Sequence, residues 1–89
     1  MKIKGQYVVR KIAGETVVVP VDSENLDANI LIMLNETGAV LWDMLYNGSD
    51  EEKIISAFCE EYNVDEDTIR NDLYDFISYI ESKGIVIEN

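Results

Sequence analysis

Apolar and polar positions divide the chain into an extended first third and a helical remainder. Residues 6–10, centred on Tyr7, Val8 and Val9, form a short β-branched segment and predict a first strand. Ala13 and Gly14 predict a tight turn, and residues 15–21 a second strand in which Pro20, lacking an amide hydrogen, belongs near an end or at an edge. Residues 22–27 are polar and read as a loop; residues 28–34 read as a third strand. Ile30, Leu31, Ile32, Met33 and Leu34 are consecutive and apolar. A strand with one solvated face alternates, so this run predicts cover on both faces. The strands are too close in sequence for parallel crossovers, which predicts an antiparallel meander.

From residue 35 the period changes. A first helix over 35–46 places Val40, Leu41, Met44 and Leu45 on one side. Asn35 is the expected N-cap and Thr37 the alternative; Asn47 and Gly48 form the stop. Trp42 is expected in or near the core, where its indole N–H requires an acceptor. Ser49 followed by Glu52 has capping-box spacing and predicts a second helix over 50–62, with Ile54, Ile55, Phe58, Cys59 and Tyr62 on its apolar face. Asp65 is the expected cap of a third helix, whose stripe is Ile69, Leu73, Phe76, Ile77 and Ile80 and whose end is Lys83-Gly84. Ile85, Val86 and Ile87 predict a short wing strand. Three strands followed by three helices, the last two joined by a tight turn, describe an α+β, winged helix-turn-helix-like fold.

Composition narrows the chemistry. The 89 residues suit one domain, 1–89, and the single cysteine permits no internal disulfide, which fits a reducing cytoplasm. No signal peptide and no membrane-length apolar run is visible. Histidine is absent, removing the commonest general base and metal ligand together. Cys59 has no base to activate it and reads as a small core residue. The acidic pairs lack calcium-loop spacing and read as helix surface and caps; Gly38 and Gly48 fit no phosphate loop. The sequence therefore predicts no catalytic residues, no cofactor and no metal. The net charge of −11 opposes nucleic acid. The third helix carries Glu66, Asp67, Asp72, Asp75 and Glu81 against Arg70 and Lys83, the wrong balance for a recognition helix. The basic residues Lys2, Lys4, Arg10 and Lys11 are the one feature favouring the alternative, a winged-helix nucleic-acid-binding or regulatory domain.

The third strand poses the sharper question. If it forms a sheet edge, it is apolar and unprotected by lysine, proline or a bulge. Either a partner strand adds to it or the third helix lies over it, and the pattern alone leaves both open.

Tyr7-Val8-Val9-Arg10, Gly14-Glu15 before the valine run ending in Pro20-Val21, Leu34-Asn35-Glu36-Thr37-Gly38-Ala39 with Trp42, Glu61-Tyr62-Asn63-Val64, and Gly84-Ile85-Val86 together resemble the PqqD family over nearly the whole chain. The resemblance implies three strands followed by three helices. It also implies a non-enzymatic recognition element for ribosomally made, post-translationally modified peptides. Such elements hold the leader of a precursor peptide against the third strand, with the third helix as the other wall. They present it to a maturation enzyme, often a radical S-adenosylmethionine protein. With no cysteine cluster for an iron–sulfur centre, this chain would be the recognition partner, as a monomer or homodimer. On that basis the expected peptide-binding residues are Ile30, Leu31, Ile32, Met33 and Leu34 on the strand, and Arg70, Leu73, Tyr74 and Ile77 on the helix. Arg70 and Tyr74 lie four apart and share a helix face, where Arg70 could pair with a leader carboxylate.

Overall fold

The computed structural model describes residues 1–21 and 32–88. Strand β1 is Lys2–Ile3, β2 is Tyr7–Ile12 and β3 is Glu15–Pro20. The β2–β3 hairpin closes through Ala13 and Gly14 with φ of 54° and 83°. A two-residue loop with both φ values positive matches the twist of the flanking strands, and glycine takes the second position without strain. Strand β4, Ile32–Leu34, pairs antiparallel with β3, so the sheet order is β2-β3-β4. The third strand predicted over 28–34 is described from Ile32 onward; Ile30, Leu31 and the loop predicted over 22–27 lie outside the described residues.

Asn35 follows β4 directly and caps helix α1, Glu36–Asn47, its Oδ1 accepting from the Gly38 amide at 2.7 Å. Helix α2 is Glu51–Tyr62. Its cap is Asp50, which accepts from the Lys53 amide at 2.8 Å, and not the expected Ser49. Ser49 is committed elsewhere through its backbone: its amide donates to the Met1 carbonyl at 2.9 Å and its carbonyl accepts from the Met1 ammonium at 2.7 Å. Asn63, left-handed at φ 53°, ends α2. Asp65 caps α3, Glu66–Ser82, accepting from the Thr68 amide and hydroxyl at 3.0 and 2.8 Å. These bonds favour the carboxylate and hold Asp65 below the ordinary acid range. Strand β5, Ile87–Glu88, pairs antiparallel with β1, an N-terminal partner the sequence reading did not predict.

One face of the sheet, carrying Val18, Ile32 and Leu34, packs on the helices. The core continues through Leu41, Trp42, Leu45, Ile54, Ile55, Phe58, Ile69, Leu73 and Ile80, all buried. Trp42 stacks on Tyr46 at 6.1 Å and meets Tyr7 edge-on at 5.3 Å. Its Nε1 is buried without an acceptor among the described residues, contrary to the sequence expectation. Cys59 is partly buried against this core. The result is an α+β fold with a three-stranded antiparallel sheet followed by three helices. No described helix is long and apolar enough to cross a membrane.

Candidate peptide-binding cleft

Antiparallel strands alternate between residues that bond one neighbour and residues that bond the other. The Val21 amide donates to the Gln6 carbonyl at 3.0 Å, and the two-residue hairpin makes Ile12 and Glu15 a bonded pair. Counting by twos, the peptide groups of Thr16 and Val18 turn away from β2 and bond Leu34 and Ile32 on β4. Those of Met33 must then point outward, to an edge that no other described strand pairs. Two contacts agree with this phase. The Tyr7 amide, outward on β2, donates to the Tyr46 hydroxyl at 3.1 Å, and the Met33 carbonyl lies 3.5 Å from the Tyr79 hydroxyl of α3.

That outward edge opens onto a cleft of about 410 Å³ between β4, the start of α1 and one face of α3. Met33, Leu34 and Asn35 form one side, Gly38 and Leu41 the floor, and Asp72, Asp75, Phe76 and Tyr79 the wall on α3. Gly38 is buried where α1 approaches α3: a Cβ there would sit 3.3 Å from the Phe76 ring and 3.0 Å from the capping Oδ1 of Asn35. The floor is thus apolar and the rim carries carboxylates. Among the described residues no group of side chains is disposed to hold a metal ion.

The structure distributes the expected binding residues unevenly. Ile30 and Leu31 lie outside the described residues. Ile32 and Leu34 turn their side chains into the core, and Met33, 47% exposed, turns its own to the sheet's opposite face. Leu73 is wholly buried behind the cleft and presents no surface to it, and Ile77 packs against the core. Arg70 bonds Glu51 at 2.8 Å and Glu52 at 3.3 Å at the start of α2. Tyr74 also faces Glu51, whose acceptor raises the phenol above its ordinary value. The reason is helical phase. Ile69, Leu73 and Ile80 form the buried stripe of α3 and leave two flanks about half a turn apart. Arg70 and Tyr74 occupy the flank towards α2; Asp72, Asp75, Phe76 and Tyr79 occupy the flank towards β4. Periodicity finds the stripe but does not say which flank meets the strand. One signal was available: the small Gly38 in a helical first turn marks a close approach.

Comparison with known proteins now has a geometry to refer to. No curated protein matches the chain. A solved structure of TbiB1 in complex with the TbiA(beta) leader peptide is similar, with 31% identity, 94% of this chain and 92% of that chain covered, and a TM-score of 0.72. The model of the family described as coenzyme PQQ synthesis protein D (PqqD) matches residues 15–86. The match takes in β3, β4, all three helices and every described residue lining the cleft, and the chain belongs to the PqqD family.

Proposed function

We propose that this chain is a non-catalytic module that captures the leader of a ribosomal precursor peptide by strand addition to β4 and presents it to a maturation enzyme. One observation carries the reading: the Met33 peptide group points outward, along a cleft whose opposite wall is α3. An incoming strand finds a donor and an acceptor there, and main-chain pairing of this kind supplies affinity while side-chain pockets supply choice. The similarity to TbiB1, solved with a leader peptide bound, supports the same ligand class.

The likeness to the family suggests a radical S-adenosylmethionine enzyme as the partner and the cytoplasm as the compartment. The module works as one unit, residues 1–89, with no cofactor. Duplex nucleic acid is excluded as ligand by charge: a helix with Glu66, Asp67, Asp72, Asp75 and Glu81 repels phosphates.

The test is a titration of isotopically labelled protein with a precursor peptide encoded beside its gene, followed by amide resonances. Shifts should concentrate at Met33, Gly38 and residues 72–79. Shifts confined to the Arg70 flank would move the site to the groove between α2 and α3, and shifts confined to the β1–β5 ribbon would abandon strand addition at β4.

A further inference from the structure

Resting on the leader-binding reading, we infer that the peptide held in this cleft carries a lysine or arginine two residues from a large apolar residue, the cation meeting Asp72 and Asp75 and the apolar side chain meeting Phe76.

The register sets the spacing. A residue paired with the outward peptide group of Met33 shares the face of the Met33 side chain, away from the helices. Its two neighbours therefore both point into the cleft. They lie two residues apart, about 6.7 Å along a strand. On the α3 wall Asp72 and Phe76 lie four residues apart, about 6 Å along a helix. Tyr79 stands at Met33 and Phe76 at Gly38, so towards Asn35 the inward side chain beside Leu34 falls at Phe76, above Gly38 and Leu41, and the next inward one, two residues on, falls at the carboxylates.

Charge sets the identity. The cleft lining contains Asp72 and Asp75 and no lysine or arginine. Among the described residues neither carboxylate has an ion-pair partner, and residues 22–31 contain no cation that could serve. Arg70, the residue expected to greet an acidic leader, is held on the opposite flank by Glu51 and Glu52. Lys83 lies over the Tyr79 ring at 5.7 Å, at the far end of the wall. An acidic side chain opposite Asp72 would meet two like charges inside a protein of net charge −11, whereas a cation gains from both the local pair and the long-range field.

The experiment selects binders from a random peptide library on the wild-type protein and on the double variant Asp72→Lys/Asp75→Lys. Both positions are exposed, and circular dichroism checks that the variant folds. Wild-type pools should be enriched in lysine or arginine two residues from a large apolar residue. The variant should reverse the preference to aspartate or glutamate at that position and weaken wild-type binders by about tenfold or more. Pools without charge preference, or with the same preference on both proteins, overturn the inference while leaving strand addition intact. Strand addition is read separately, from amide exchange at Met33 with a selected peptide: an unprotected Met33 amide overturns the leader reading itself, and so does a library from which nothing is enriched.

Discussion

The sheet has two outer strands, β2 and β4, and they meet solvent in opposite ways. Strand β2 is six residues long, and from Val8 to Ile12 every residue is exposed. Val9 and Lys11 turn their peptide groups outward by the same alternation that places Met33. Arg10 and Lys11 stand among the exposed Val8, Val9 and Ile12, and charge of this kind discourages a second chain from pairing there. Strand β4 has no charge; it is flanked by α3, with a cleft between. One edge is guarded by what a partner would have to desolvate, the other by a wall that leaves room for one strand. An unpaired edge therefore becomes a binding site only where side-chain chemistry stops guarding it and a neighbouring element narrows the choice of occupant.

The same asymmetry runs beneath the sheet and yields the largest expected effect. Near the start of β2, Trp42 is 2% exposed between Tyr7 and Tyr46, whereas Phe76 beside β4 is only partly buried. Trp42→Ala should destabilise the fold by about 3–5 kcal/mol, and Phe76→Ala by clearly less while weakening peptide binding more. Urea midpoints and peptide titration of both variants check this; equal midpoint shifts would erase the distinction between a sealed side and an open one.

Next come two adjacent prolines. The Ile32 amide faces β3 and its side chain is fully buried, so Ile32→Pro should cost about 3 kcal/mol or more. Met33→Pro removes only an outward amide and should leave the urea midpoint much closer to wild type while weakening peptide binding. The reverse order would shift the register of β4 by one residue.

Lys11→Val tests the guard on β2. Stability should change by no more than about 0.5 kcal/mol, but sedimentation should detect concentration-dependent self-association. A monomer at all concentrations would mean that something other than charge protects β2.

The smallest effect is the acid response of α3. Because the folded Asp65 carboxyl lies below its ordinary value, its stabilising contribution is full above the ordinary acid range. It is lost as pH falls through the folded value. Asp65→Asn should flatten this dependence, read as amide exchange in the first turn of α3, with β2 unaffected.

Much of this was legible in the sequence. Ala13-Gly14 specified the hairpin, Asn35 and Asp65 the caps of α1 and α3, and Gly48 and Gly84 the stops after α1 and α3, because each depends on neighbours within a few residues. Long-range facts were not legible. Ser49 lost its capping role to Asp50 through contacts with Met1, far away in sequence. Lys2 and Ile3 gained strand character from pairing with Glu88 and Ile87. The sequence points to Arg70, Leu73, Tyr74 and Ile77 on the helix; a helix has two flanks beside its buried stripe, and only packing against Glu51 shows which way Arg70 and Tyr74 face.

The packing around Trp42 gives the molecule an internal optical gauge. As the chain's one tryptophan, shielded from solvent and with no acceptor for its indole N–H among the described residues, it should emit at short wavelength. Tyr7 and Tyr46 sit within energy-transfer range of it. Its ring does not line the cleft, whereas Tyr79 does. Light emitted by the indole therefore follows the integrity of the fold and stays nearly silent to an occupant beside β4, so loss of structure and loss of ligand can be followed as separate signals in one cuvette.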